Sequence, residues 1–192
     1  MCNCNKYRDD KLHHECGVLG IYGVDDAAGL AYYGLHALQH RGQQGCGIVT
    51  VGPTGEFHRV KGDGLVNEVF NEQKITKLPG RMAIGHVRYS NAGCKGTENI
   101  QPFLFHHNSG DFAMANNGQI VNYNQLRAEL EDKGSLFQSS SDAEVLAHLI
   151  KKQGVDKDLP RIHALKDALN MLDGAFAFLV MTGRRIYACR DK

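Results

Sequence analysis

Cys16 follows fifteen polar and charged residues that show no apolar period and precedes the run Gly17-Val18-Leu19-Gly20-Ile21-Tyr22-Gly23. That address suits a cysteine destined to be the first residue of a mature chain. A terminal thiol has a free α-amine beside it, with an ordinary pKa of about 8, and that amine can serve as general base for its own nucleophile. The plainer alternative is a small buried hydrophobe at the start of a strand. The choice depends on what accompanies the thiol.

Several polar residues stand at the ends of predicted elements, where side chains reach a cleft. Arg88 follows a short apolar strand, and its planar fork suits a carboxylate; a surface salt bridge is the competing use. Asn117-Gly118 offers a side-chain amide and an unhindered N–H, the donors an oxyanion hole requires, but Asn-Gly is also a common hairpin turn. Asp142 is predicted in the first turn of a helix, where the dipole alone favours it, and a carboxylate there also suits an α-ammonium. In His40-Arg41-Gly42-Gln43-Gln44-Gly45-Cys46-Gly47 the spacing is wrong for a dinucleotide loop. Its glycines let backbone approach a ligand, which makes Arg41 and Gly42 substrate-binding candidates. Together these groups describe a site for an amino acid: Cys16 for attack, Arg88 for the α-carboxylate, Asp142 for the α-ammonium, Asn117 and Gly118 for the developing oxyanion.

The elements that must hold them follow from periodicity. Val18 to Tyr22 reads as a buried strand, and Leu30 to Gln39 as a helix closed at Arg41-Gly42. Ile48 to Val51 and Glu56 to Lys61 form a hairpin about Gly52-Pro53-Thr54-Gly55. Met82 to Val87 is a strand and Ser90 to Thr97 a loop; Phe103 to Phe105 and Phe112 to Ala115 are strands, the latter ending at Asn116-Asn117-Gly118. Tyr123 to Lys133 is a helix with Leu126 and Leu130 on one face. Ser141 and Glu144 make a capping box ahead of Val145, Leu146, Leu149 and Ile150. A further helix starts near Pro160 and repeats Ile162, Leu165, Leu169 and Leu172, and Ala175 to Met181 and Arg185 to Cys189 close the chain as strands. Strands at both ends and in the middle, with helices between, favour stacked sheets flanked by helices in an α+β fold.

The chain has 192 residues, 42% apolar and 22% charged, with a formal net charge of +1. No block of one sign marks a nucleic-acid or anionic-membrane surface, so the expected partner is a small molecule. Six cysteines are scattered without a paired framework, which reads as reduced thiols in a cytoplasm. The longest apolar run, Ala175 to Met181, is too short to cross a bilayer. Cys2, Cys4, His13, His14 and Cys16 invite a zinc site, but adjacent histidines in extended chain point opposite ways. No metal is expected.

Cys16-Gly-Val-Leu-Gly-Ile-Tyr, Tyr32-Tyr-Gly-Leu-His-Ala-Leu-Gln-His-Arg-Gly-Gln, Gly85-His-Val-Arg-Tyr, Asn99-Ile-Gln-Pro-Phe, Asn117-Gly-Gln-Ile-Val-Asn and Ser141-Asp-Ala-Glu resemble the glutaminase domain of the amidophosphoribosyltransferases, enzymes of purine synthesis. The resemblance runs from Cys16 to the end. It implies a four-layer αββα sandwich of the N-terminal-nucleophile hydrolase type, a self-processed leader over residues 1–15 and a glutaminase domain over 16–192. It further implies attack of Cys16 on the amide of L-glutamine, a γ-glutamyl thioester, stabilisation of both tetrahedral intermediates by Asn117 and Gly118, and binding of the glutamine backbone groups by Arg88 and Asp142. Tyr89 to Gly96 matches the family's glutamine lid. Two positions depart from the pattern: Asn116 stands where a histidine is common, and Asn91 where a threonine is.

The family's phosphoribosyltransferase domain, which uses magnesium and in some members is accompanied by an iron–sulfur cluster, is not in these 192 residues. The full-length enzymes are expected to be homo-oligomers. Two other readings stay open: the glutaminase half of a different class II amidotransferase, or a non-catalytic module whose Cys16 remains capped by its leader.

Overall fold

The protein's structure, a computed structural model, describes residues 16–89, 96–108, 110–156 and 161–191. The leader, the zinc candidates Cys2, Cys4, His13 and His14, most of the predicted lid with Asn91, and Pro160 lie outside them. The chain divides into two compact units, Met1–Asn117 with Ala177–Cys189 and Gly118–Phe176 with Arg190–Lys192.

The first unit is built on two four-stranded sheets. The first sheet has the order β1-β4-β2-β3, from β1 (Gly17–Tyr22), β2 (Gly45–Val51), β3 (Phe57–Asp63) and β4 (Met82–Arg88). All its pairings are antiparallel. Its central strands β2 and β4 are buried at every residue, whereas the edge strands β1 and β3 are only partly covered. A central strand covered on both faces reads as a continuous apolar run, which is why Met82 to Val87 is so legible.

Helix α1 (Ala27–Ala37) packs Ala27, Ala28, Ala31 and Leu35 onto one face of this sheet, in a cluster with Cys46, Ile48, Ala83 and Val87. It begins three residues before the predicted Leu30, because the Asp26 carboxylate accepts the Gly29 N–H at 3.0 Å and caps it there. A 3-10 turn (Gln39–Arg41) follows. Two single-turn helices, α2 (Val66–Val69) and α3 (Glu72–Ile75), were not expected. Four residues are too short for a 3.6 period to be visible.

The other face of this sheet meets the second sheet, of order β5-β6-β7-β8, from β5 (Phe103–Phe105), β6 (Phe112–Ile120), β7 (Gly174–Thr182) and β8 (Ile186–Arg190). Val49, Val51, Met82 and Ile84 from the first sheet pack with Ala113, Ala115 and Met181 from the second. Beyond the prediction, β6 runs straight through Asn116-Asn117-Gly118 to Ile120. The hairpin reading of Asn-Gly is thereby overturned, since the residues that resemble a turn lie within a strand.

The second unit carries α4 (Tyr123–Glu131), α5 (Glu144–Asp156) and α6 (Arg161–Leu169). Leu126 and Leu130 of α4 are buried as predicted. In α6 the buried face is Ala164, Leu165 and Ala168 with Leu172 beyond it, while Ile162 is exposed. The capping box takes another form: the Glu144 carboxylate reaches past Ser141 to accept the Gln138 N–H at 2.8 Å, the Ser139 N–H at 2.8 Å and the Ser139 hydroxyl at 2.5 Å. Asp142 consequently precedes α5 and is not in its first turn.

Candidate active site

Register places the thiol. In the β1–β4 ladder Gly17 lies opposite Val87 and Val18 opposite His86, so one further step sets Cys16 beside Arg88. Cross-strand neighbours share a face. Val18 packs against the cluster between the sheets, and strict alternation puts Cys16, His86 and Arg88 on that same face. The Cys16 Sγ accepts the Tyr89 N–H at 3.3 Å and lies 3.4 Å from the Tyr89 carbonyl oxygen. The thiol therefore both accepts from and donates to the Tyr89 backbone, which fixes where the sulfur sits. Arg41 donates from Nε to the Cys16 carbonyl at 3.3 Å, which fixes the backbone of the residue that carries the thiol.

The other free cysteines among the described residues are Cys46 and Cys189. Burial pushes the Cys46 thiol up to about 12 and raises that of Cys189 as well. Neither is equipped as a nucleophile at neutral pH.

Arg88 is buried at the end of β4, and its Nη1 donates to the Gly96 carbonyl at 3.3 Å. Its backbone carbonyl accepts the Gln44 N–H at 3.1 Å. A Cβ at Gly42 would come within 2.6 Å of the Arg88 carbonyl carbon, so what approaches this glycine is the end of β4 itself. Two residues before Arg88, His86 is fully buried and neither ring nitrogen has a hydrogen-bond partner among the described residues. Burial drives its pKa down to about 3; the Arg88 charge adds to the effect, and the nearby Asn116 backbone, short of hydrogen-bond geometry, opposes it. The imidazole is therefore neutral throughout the physiological range.

Asn117 ends the first unit on β6, and its Oδ1, like that of Asn116 beside it, is buried without a hydrogen-bond partner among the described residues. Buried amide oxygens left unpaired are open to a ligand or to water. In the second unit Gly118 has φ +130°, and a Cβ there would lie 2.1 Å from the Ala175 carbonyl oxygen. Only glycine fits where β6 crosses the start of β7 so closely. Asp142 accepts the Ile120 N–H at 2.7 Å through Oδ2, which ties the carboxylate to the end of β6, two residues past the Asn-Gly pair. Burial raises its pKa, against the N–H groups of Ile120, Ala143 and its own residue, which pull the other way.

The first unit thus brings Cys16, Arg41, Gly42 and Arg88 to one end of the first sheet, and the second unit pins Asp142 to β6. Sequence reading missed Tyr89, whose contribution is a backbone N–H and has no side-chain signal. It also missed His86, although a histidine alternating with Ile84 and Arg88 in an apolar strand was a visible cue. Among the described residues no group of three His, Cys, Asp or Glu side chains converges as a metal site.

Residues 86–192 match the family of glutamine amidotransferase domains. The chain is 49% identical over 187 residues to amidophosphoribosyltransferase 1, chloroplastic, of Arabidopsis thaliana, covering 97% of this chain and 32% of that one. It is 49% identical to an amidophosphoribosyltransferase of Lacticaseibacillus casei, covering 94% of this chain and 91% of that sequence. The solved structure of glutamine phosphoribosylpyrophosphate amidotransferase from B. subtilis, complexed with ADP and GMP, superposes with a TM-score of 0.83 at 48% identity, over 91% of this chain and 37% of that one. The chain spans about a third of the length of most of the relatives it matches. Its α+β fold of two antiparallel sheets with helices is that of the N-terminal-nucleophile glutaminase domain. The chain belongs to the glutamine amidotransferases, as the glutaminase domain of the amidophosphoribosyltransferase family.

Proposed function

We propose that this chain hydrolyses L-glutamine to glutamate and ammonia with Cys16 as nucleophile. The observation that carries the proposal is the Cys16 thiol, held by the Tyr89 N–H at 3.3 Å at the position next to the buried Arg88. Once residues 1–15 are removed, the Cys16 α-amine takes the thiol proton as sulfur attacks the glutamine Cδ, and returns it to the departing amide nitrogen, which leaves as ammonia. Water then adds to the γ-glutamyl thioester, the C–S bond breaks, and glutamate and the thiol are regenerated. The Asn117 side-chain amide and the Gly118 N–H serve the oxyanion of each tetrahedral intermediate. Arg88 takes the α-carboxylate and Asp142 the α-ammonium, roles supported by the resemblance of the motifs around them. Arg41 and Gly42 contribute by fixing the Cys16 carbonyl and the end of β4.

The acceptor of the ammonia is proposed to be the phosphoribosyltransferase domain of a longer enzyme of purine synthesis, itself a homo-oligomer and the place for magnesium. The cytoplasm is the compartment proposed, on the reading of scattered cysteines as reduced thiols; the name of the Arabidopsis relative places that protein in the chloroplast. No helix of the described residues is long and apolar enough to cross a membrane.

Incubation of the full chain with glutamine tests the activity, after intact mass has established that it begins at Cys16. Equal amounts of glutamate and ammonia are expected from the wild type, and none above background from Cys16→Ala. Equal rates for the two would refute the role of Cys16, and a chain that retains residues 1–15 and still hydrolyses glutamine would refute the role of its amine.

A further inference from the structure

Segment 96–102 crosses the inter-sheet face of the first sheet as a strap and is fastened at three points. Its Gly96 carbonyl accepts Arg88 Nη1 at 3.3 Å. Its Ile100 carbonyl accepts Lys61 Nζ at 2.9 Å. The Gln101 Oε1 accepts the Asn116 N–H at 2.6 Å. Room for the strap is made by Gly47 of β2, where a Cβ would lie 2.4 Å from the Gln101 carbonyl oxygen and 3.1 Å from Pro102 Cδ.

The third fastening is the informative one. In the β5–β6 ladder Phe103 lies opposite Met114, so the same register continued sets Gln101 opposite Asn116. Pro102 has no N–H with which to extend that ladder, and β5 begins only at Phe103. The side-chain carbonyl of Gln101, buried with only 7% exposure, satisfies the Asn116 N–H where the backbone ladder stops. That bond fixes β6 one residue before Asn117, and the strap that supplies it also holds the guanidinium of Arg88. All of these residues lie in the first unit.

We propose that Gln101 is a positioning residue for the glutaminase reaction: it sets the β6 backbone that presents the Asn117 amide, and through its strap joins that oxyanion donor to the Arg88 grip on the substrate carboxylate. The assignment rests on the function proposed above. Its signature is separable from a general loss of stability. An oxyanion donor displaced by a fraction of an ångström lowers turnover and leaves ground-state binding intact.

The test compares Gln101→Met, nearly isosteric and without an acceptor, with Gln101→Glu, which keeps an accepting oxygen at the same reach. In the full chain matured at Cys16, Gln101→Met is expected to lower kcat for glutamine by about tenfold or more, with KM unchanged within about twofold. Hydrogen exchange at the Asn116 amide is expected to quicken in the same variant, and Gln101→Glu to restore most of the lost turnover. Wild-type kcat in Gln101→Met, or equal losses in the two variants, overturns the assignment. A wild-type chain that turns over no glutamine overturns the proposed function instead. In that case exchange at Asn116 still decides: protection unchanged in Gln101→Met shows that Gln101 does not set β6.

Discussion

The two units position functional groups by different means. In the first, Cys16 and Arg88 are placed by the register of an antiparallel ladder, in which Gly17 opposite Val87 fixes everything one step away. In the second, Asp142 lies in irregular chain ahead of α5, and its surroundings are set by side chains bonding to backbone: Glu144 to Gln138 and Ser139, Arg127 to the Ser139 carbonyl at 3.0 Å, and Asp142 itself to the Ile120 N–H. A ladder distributes its hold over many bonds. A loop concentrates it in a few buried side chains, so single substitutions there should have local and severe effects.

The largest effect is expected at Gly118, in the second unit. Gly118→Ala forces a Cβ toward the Ala175 carbonyl in a backbone conformation of φ +130°, at a cost of about 4 kcal/mol or more. Urea unfolding measures it, and a loss within the range of an ordinary surface substitution would mean that β6 is free to shift away from β7.

Next comes Glu144, which is 1% exposed. Burial opposes its ionisation, but the His148 ring 3.6 Å away and the hydrogen bonds from Gln138 and Ser139 outweigh that and keep its pKa below the ordinary range. Glu144→Ala orphans two N–H groups and a hydroxyl, and is expected to cost about 2–4 kcal/mol and to raise KM for glutamine by displacing Asp142. Unchanged KM would show that the loop is held by other means. The ladder-built unit should contrast with this: substitutions of apolar residues in β1 that keep the register should lower stability without altering KM.

At neutral pH the smallest effect belongs to His86, and it grows only on acidification. Its pKa in the fold is about 3, below the ordinary 6.5, so between those values the unfolded chain binds a proton that the folded chain refuses. Stability contributed by the neutral ring is therefore complete above pH 6.5 and falls on acidification by about 1.4 kcal/mol per pH unit until about pH 3. His86→Gln should remove that slope in unfolding titrations. A slope that persists would assign the acid sensitivity to other groups.

The same contrast explains what was legible in the sequence. Strands β2 and β4 announce themselves because central strands are apolar on both faces, and Arg88 is conspicuous at the end of one of them. Leu126 and Leu130 mark α4 by spacing alone. The start of α1 was missed because Ala27, Ala28 and Ala31 give a weak apolar signal although they are buried, and the cap at Asp26 decides the boundary. β6 was cut short because Asn116-Asn117-Gly118 has turn chemistry, and tertiary pairing overrode it. The partners of Glu144 could not be read, since the capping-box pattern fits Ser141 while the carboxylate is satisfied by Ser139. The residue type of Gln101 does not reveal a side chain used in place of a ladder bond; that use depends on the register of β5 with β6 and on Pro102.

The most direct measurement of the central claim is covalent. The matured full chain treated with a glutamine analogue that carries an electrophile in place of the side-chain amide, then digested and mapped by mass spectrometry, should carry one adduct, on Cys16, and excess glutamine should prevent it. Cys46 and Cys189, with thiols raised by burial, should remain unmodified. Labelling of Cys46 or Cys189 in preference to Cys16, or labelling of Cys16 that glutamine does not slow, would contradict the account.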